Sequence, residues 1–326
     1  MTVAVKDSPV FICGHPKSGT SLLRAMLDSH PQLIVYPEES VFFRRYLPLA
    51  QNKPFEEQLQ LAEQYLLQMF SWNKTNPPPN QKYYPDRDYT HISFEDTCQA
   101  MRKLIAENGY RHPGDILSAS VLAYGEVTNQ KNQEIKHWVE KTPYNERFAE
   151  QIFAWWPEAK CIHIIRDPRD NYASYHQLHP DWTPEFFGAN WNMVARIGLK
   201  NEARFGKERY LIMRYEDLVK SPAENVKKII EFLSIQNNIT LTTPTRAGRS
   251  WKGNSMFADK FQGISDKPVG RWREKLTQRE AALLEWKTLF LMKHFSYHAQ
   301  HRRDISALFK TLSWPLKQRL RRLSKK

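Results

Sequence analysis

The run Val10-Phe11-Ile12-Cys13-Gly14-His15-Pro16-Lys17-Ser18-Gly19-Thr20-Ser21 passes from a wholly apolar segment, through a turn bounded by two glycines, into a helix-like stretch. A short apolar run that ends on a turn signal reads as a strand buried on both faces. Beyond the turn, Leu22, Leu23, Met26 and Leu27 share one face of a helix over residues 20–29. His30-Pro31 ends that helix, because the residue before a proline is disfavoured in the α region. A strand–turn–helix of this kind directs consecutive backbone N–H groups and the positive end of a helix at one point, which suits an anion.

The same alternation recurs along the chain. Residues 33–36, 137–141, 161–165 and 210–214 read as strands, and 146–155, 171–178 and 222–233 as helices. Ser221-Pro222 places a proline at the first helical position. Residues 39–72, 94–107 and 113–129 also read as helical, around the loop Asn76-Pro77-Pro78-Pro79-Asn80. This pattern predicts an α/β fold with a P-loop-like central parallel β-sheet flanked by helices, and a helical insertion over about 40–135. We expect a single domain over 1–300 and a basic tail over 301–326. Ligands of such sheets bind beyond the carboxyl ends of the strands.

Composition narrows the function. The chain has 326 residues, 41% of them apolar and 25% charged, with a net charge of +13, a balance that suits a globular protein. Residues 301–326 carry nine Lys/Arg against one Asp, eight of the thirteen net charges. The body is only modestly basic, which favours a local anion site over a long nucleic-acid track, so no nucleic-acid partner is expected. Apolar and basic residues interleave from Leu308 to Leu323, so the tail offers peripheral contact with anionic lipid, though Pro315 interrupts any continuous helix there. A solvated terminus is the alternative. No apolar run approaches about 20 residues, and the N-terminus does not read as a signal peptide. Cys13, Cys98 and Cys161 form neither a zinc spacing nor a disulfide framework. A cytoplasmic location follows as the expectation.

The loop resembles a Walker A sequence, but the position after Gly19 is Thr20, and the lysine lies inside the loop, at Lys17. A nucleoside-triphosphate kinase needs that lysine on the terminal phosphates and a hydroxyl on Mg²⁺. No strand ending in a Walker B aspartate is evident, so the loop suits an anion of lower charge held without a metal. A kinase of a small metabolite is the main rival reading, and a basic membrane- or nucleic-acid-binding protein the other. A second anion site lies at Ile164-Ile165-Arg166-Asp167-Pro168-Arg169-Asp170-Asn171-Tyr172-Ala173-Ser174. Arg166 ends a strand, and Ser174 follows in a helix. Arginine's planar fork suits a phosphate.

From Pro16 to Pro31 the sequence resembles the 5′-phosphosulfate loop and following helix of sulfotransferases that use 3′-phosphoadenosine 5′-phosphosulfate (PAPS), above all bacterial and tyrosylprotein sulfotransferases. The likeness covers about residues 10–275. It implies sulfuryl transfer from PAPS to a hydroxyl or amine by metal-independent in-line displacement, with Lys17, Ser18, Gly19, Thr20 and Ser21 on the phosphosulfate. Arg166 and Ser174 match the family's grip on the 3′-phosphate. Tyr215, in Arg214-Tyr215-Glu216-Asp217, resembles the tyrosine beside the adenosine. Val269-Gly270-Arg271-Trp272-Arg273 resembles the late loop that closes on the nucleotide, with Arg271 and Arg273 toward the 3′-phosphate. Lys141, in Glu140-Lys141-Thr142-Pro143, matches a lysine at a strand end and is a second candidate cation beside Lys17. For the base, matching Glu39-Ser40 to the family's Glu–Thr selects Glu39, whereas ungapped counting from the loop selects Glu38. Neither His15 nor His163 stands in a histidine-base motif, and His163 reads as a core residue. Where tyrosylprotein enzymes place a basic residue after the serine, this chain has Leu178. Acceptor walls would come from the aromatic-rich stretch containing Tyr46, Phe70, Trp72, Tyr83, Tyr84 and Tyr89, and aromatics suit sugars, phenols and lipids alike. Since the N-terminus does not read as a secretory signal, a carbohydrate, lipid or small metabolite is expected as acceptor before a secreted protein tyrosine.

Overall fold

The structure is a computed structural model and describes residues 4–82, 84, 87–130, 134–251, 253, 255–257, 263–301, 306, 310 and 311. Strands β1 (Pro9–Gly14), β2 (Leu33–Val35), β3 (His137–Lys141), β4 (Lys160–Ile165) and β5 (Tyr210–Arg214) form one sheet in the order β2-β3-β1-β4-β5, every pair parallel. Along β1, Phe11 and Cys13 point into a core with Trp138, Trp156 and Tyr210, while Val10 and Ile12 point into the opposite core with Leu23, Met26 and Ile162. Burial on both faces is why β1 and β2 read as unbroken apolar runs, while β3 buries the polar His137, Glu140 and Lys141 as well.

Helices cover both faces. On one side lie α1 (Thr20–Leu27) and α9 (Pro222–Leu233). On the other lie α2 (Phe55–Ala62), α3 (Phe94–Asn108), α4 (Gly114–Val127) and α5 (Ala149–Trp155). α6 (Pro168–His176), α7 (Pro184–Phe205) and α10 (Gln278–His294) share a third core around Trp191, and the short α8 (Tyr215–Lys220) follows β5. After β1 the chain crosses to β2 and returns through β3; after β3 it crosses over β1 to β4. The carboxyl ends of β1 and β4 therefore flank a switch point, where a ligand crevice forms.

Two expectations change. The continuous helix expected over 39–72 is broken: Phe42–Tyr46 and Glu63–Leu67 wind as wide π turns, and a bend at 51–54 separates α2 from the turn before it. Pro54 bars an α conformation at Lys53, which starts the break. α7 was not anticipated, although its start is written in Thr183-Pro184: the Thr183 hydroxyl accepts from Phe186 N–H at 3.3 Å and the proline occupies the first turn. Of residues 301–326 only four are described, so the expected membrane-contacting tail lies largely outside the described residues. Among the described residues, no helix is long and apolar enough to cross a membrane. Cys13 and Cys161 are free and buried, as their apolar strands imply.

Candidate active site

The turn after β1 is shaped by backbone that few side chains tolerate. Lys17 has φ 65° and Gly19 φ 106°; a Cβ at Gly19 would stand 2.3 Å from the Tyr215 ring. Glycine is therefore required, both for its conformation and for the close approach of Tyr215. The loop leads into α1, and Ser18 Oγ is buried with no partner among the described residues. Ser18 Oγ packs beneath the turn, toward Gly14, and Ser18 does not line the cleft described next.

Arg166, at the end of β4, reaches the same turn. Its Nη1 donates to the Lys17 carbonyl at 2.9 Å and to Ser174 Oγ at 3.5 Å; its Nη2 donates to the Pro268 carbonyl at 3.1 Å. Its guanidinium lies 4.6 Å from the Tyr215 ring centroid, and its Nε is buried without a partner. One cleft is lined by Lys17, Gly19, Thr20, Ser21, Arg166, Ser174, Tyr215 and Arg271. The two anion segments, far apart in sequence, thus meet with the tyrosine and the late-loop arginine.

The residues between Arg166 and Ser174 hold this cleft. Asp167 caps α6 by accepting from Arg169 N–H at 2.9 Å, and its carboxylate pairs with the Arg169 guanidinium at 2.6 Å. Arg169 also pairs with Glu285 of α10 at 2.6 Å. Asp170 accepts from the N–H groups of Gly270 and Trp272 at 2.7 and 2.8 Å, so it anchors the loop that carries Arg271. Asn171 Nδ2 donates to the Pro16 carbonyl at 2.8 Å. None of these four is singled out by the sequence, because Arg169, Asp170 and Asn171 act on segments distant in the chain and Asp167 acts through Arg169. The late loop itself divides. Arg271 lines the cleft, whereas Trp272 is buried between the Arg169 and Arg273 guanidinia, at 4.1 and 4.7 Å from its ring centroid. Arg273 does not line the cleft, so its expected approach to the 3′-phosphate is corrected: its side chain is spent on Trp272.

Lys141 and Glu39 form an ion pair, Nζ to Oε1, at 2.5 Å. Their neighbours explain the meeting. Glu140 Oε1 accepts from the Ser40 N–H at 3.2 Å and the Ser40 hydroxyl at 2.7 Å, and Oε2 accepts from Asn145 at 2.6 Å. The fully buried Glu140 thus latches Ser40 to β3, which brings Glu39, just before Ser40, against Lys141, just after Glu140. Burial lowers the pKa of Lys141, and the Glu39 carboxylate opposes that shift. Lys17 is lowered as well, by burial and then by the charge of Lys141, with Glu39 again opposing. Two lysines and one carboxylate therefore share one field beside the loop.

Glu38 has a different setting. It is buried, accepts from Arg87 Nε and the Tyr89 hydroxyl, both at 2.7 Å, and lies 3.6 Å from Arg246. Against the penalty of burial, Arg246, Arg87 and Arg24 pull its carboxyl down to about 2. The two histidines are neutral: burial lowers His15 to about 4 and His163 to about 3. Of the aromatic stretch, Tyr46, Phe70 and Trp72 turn into the core, which corrects their expected place in an acceptor wall. Tyr89 is also buried but reaches Glu38; Tyr84 is 39% exposed and stacks on Trp72, and Tyr83 lies outside the described residues. Leu178 is half exposed, beyond the end of α6.

With this geometry in hand, the chain belongs to the sulfotransferase family, whose sequence profile matches residues 9–238. It is 25% identical over 240 residues to protein-tyrosine sulfotransferase 2 of Gallus gallus, covering 71% of this chain and 52% of that protein. The chain spans about half the length of that relative. Among solved structures, the sulfotransferase domain of the Synechococcus PCC 7002 olefin synthase matches with a TM-score of 0.53 at 22% identity, over 90% of this chain and 97% of that one. The sulfotransferase domain from the curacin biosynthetic pathway gives 0.54 at 18%, over 90% and 99%. These likenesses establish the fold.

Proposed function

We propose that the chain transfers a sulfuryl group from PAPS to a hydroxyl or amine of an acceptor, with a carbohydrate, lipid or small metabolite as the acceptor class. The observation that carries this reading is the convergence of Lys17, Arg166, Ser174, Tyr215 and Arg271 on one cleft, with Arg166 Nε buried and lacking an acceptor. In this reading Arg166, Ser174 and Arg271 hold the 3′-phosphate, and Tyr215 packs against the adenosine. The loop N–H groups, Thr20 and Ser21 hold the 5′-phosphosulfate. Lys17 and Lys141 stabilise charge that develops on the leaving oxygen, a task for fixed, preorganised cations. Glu39 takes the acceptor proton; it is 31% exposed, whereas Glu38 is tied to two arginines and a tyrosine. Calorimetric titration with PAP, the 3′,5′-bisphosphate product, tests the reading. Micromolar binding that ignores EDTA, with weak ATP–Mg²⁺ binding, is expected. Metal-dependent ATP binding without PAP binding would replace it with a kinase.

A further inference from the structure

Beside the nucleotide cleft lies a second cavity of about 420 Å³, lined by Lys74, Arg87, Arg246 and Arg249 against the single carboxylate of Asp88. Asp88 is already engaged, its Oδ1 accepting from the N–H and hydroxyl of Thr90 at 3.1 and 2.7 Å. Trp251 lines both cavities and so marks their shared wall.

Positive charge here exceeds what the protein neutralises. Behind the lining, Glu38 serves Arg87 at 2.7 Å and Arg246 at 3.6 Å, and the field of Arg24, 2% exposed, acts on the same carboxylate. Burial, and then the charges of Arg24 and Arg87, lower the Arg246 guanidinium to about 10 against the pull of Glu38. Among the described residues, Arg24 Nε and Nη1, Arg246 Nε and Trp251 Nε1 are buried without a hydrogen-bond partner. All four atoms are donors, two of them on the wall residues Arg246 and Trp251, so the wall is short of acceptors, and with its surplus of positive charge the cavity suits an anion.

The backbone also carries signs of a built site. Strands β6 (Thr245–Arg246) and β7 (Arg249–Ser250) form a hairpin that sets Arg246 directly opposite Arg249. Like charges facing each other across a ladder repel, unless an anion lies between them. The connecting turn has φ 47° at Ala247 and 73° at Gly248, the geometry of a two-residue hairpin, so the register that faces the two arginines is fixed by the turn. Asp28, at the end of α1, ties the hairpin down by accepting from the Thr245 hydroxyl at 2.6 Å and Gly248 N–H at 3.1 Å. The helix that follows the anion loop thereby fixes both arginines relative to the donor cleft.

We propose that this second cavity binds an anionic group of the acceptor, a carboxylate, phosphate or sulfate, so that the acceptor is an anionic hydroxyl or amino compound. The inference rests on the sulfuryl-transfer reading above. It draws its geometry from Glu38 and Glu39: one holds the arginines at the cavity wall, and its chain neighbour faces Lys141.

The test uses the full chain saturated with PAP, which fills the donor cleft, and titrates inorganic sulfate at an ionic strength held constant with chloride. One further sulfate site is expected, weakened at least tenfold in Arg249→Ala and in Lys74→Ala. Both side chains lie at exposed positions, and PAP affinity should not change in either variant. A second arm compares 4-hydroxybenzoate with 4-hydroxybenzyl alcohol as ligands of the same complex. The carboxylate should bind at least tenfold more tightly, and Arg249→Ala should abolish the difference. No sulfate site, sulfate binding equal in wild type and both variants, or equal binding of the two phenols would overturn the proposal. If PAP does not bind, the donor reading fails separately, and sulfate titration of the free chain across the same variants still decides the cavity.

Discussion

Replacing Glu39 with Gln keeps the side chain's size while removing its charge and basicity. A positioned carboxylate base contributes roughly 10²–10⁴ in rate, so kcat should fall by about that factor. PAP affinity should hold, because other residues line the donor cleft. The substitution also strips Lys141, 4% exposed, of its counter-charge. Breaking a buried pair costs about 3–5 kcal/mol, and the partial exposure of Glu39 reduces this to roughly 1–2 kcal/mol. The Glu38→Gln variant is the matched control. Glu38 is the buried partner of Arg87, Arg246 and Tyr89, so its loss should cost stability at the upper end of that range and disturb acceptor binding at the cavity those arginines line, while kcat of the folded fraction at saturating acceptor stays near wild type. The assay is single-turnover loss of labelled sulfuryl from PAPS to the best acceptor of a panel, with urea unfolding in parallel. Full kcat in Glu39→Gln, or a folded Glu38→Gln that has lost its chemistry, would refute the division of labour between these neighbours.

Arg166→Ala should weaken PAP by about 10- to 100-fold, the scale of one or two charge-assisted hydrogen bonds, and affect adenosine 5′-phosphosulfate far less, because that ligand lacks the 3′-phosphate. Comparing the two dissociation constants checks it; equal losses would mean that the arginine only shapes the loop. Lys17→Ala should abolish transfer while PAP still binds, as calorimetry alongside the transfer assay would read. Glu146 accepts from Gly14 N–H at 3.1 Å, and burial raises its carboxyl from 4.5 to about 7. The folded state therefore holds a proton that the unfolded state has released between those values, and stability falls as pH rises through that window. Glu146→Gln should raise the unfolding free energy above pH 7, by up to roughly 3 kcal/mol, and leave it unchanged below pH 4.5. Urea unfolding at pH 4 and pH 8 measures this, and an equal shift at both would refute it. Glu38 has the opposite sign. Its carboxyl is held near 2, so its stabilisation is complete above pH 4.5 and is lost as pH falls toward 2, which acid unfolding of wild type and Glu38→Gln would compare.

Much of this molecule is written locally. Short runs rich in apolar residues announce the strands of the sheet, and Gly14, Lys17, Gly19 and Thr20 announce an anion turn, because strand pattern and turn conformation depend on adjacent residues. Arg166 and Ser174 are legible for the same reason: a strand end and the helix after it bring residues eight apart within 3.5 Å. Other features depend on contacts between distant segments. Nothing near Glu38 or Glu39 says which one is locked among arginines and which pairs with Lys141; Arg87, Arg246, Tyr89 and Lys141 decide it from 49 or more positions away. The same holds for Asp170 on the late loop, 100 residues on, and for Glu140 on Ser40, 100 residues back. A carboxylate's role follows from the charges and donors around it, and those are set by how the sheet and its crossovers fold together. The sequence by itself determined the sheet, the anion turn and the residues able to do chemistry. Only the tertiary structure decided which of them stand free and which are held, because burial and pairing are properties of the packed chain.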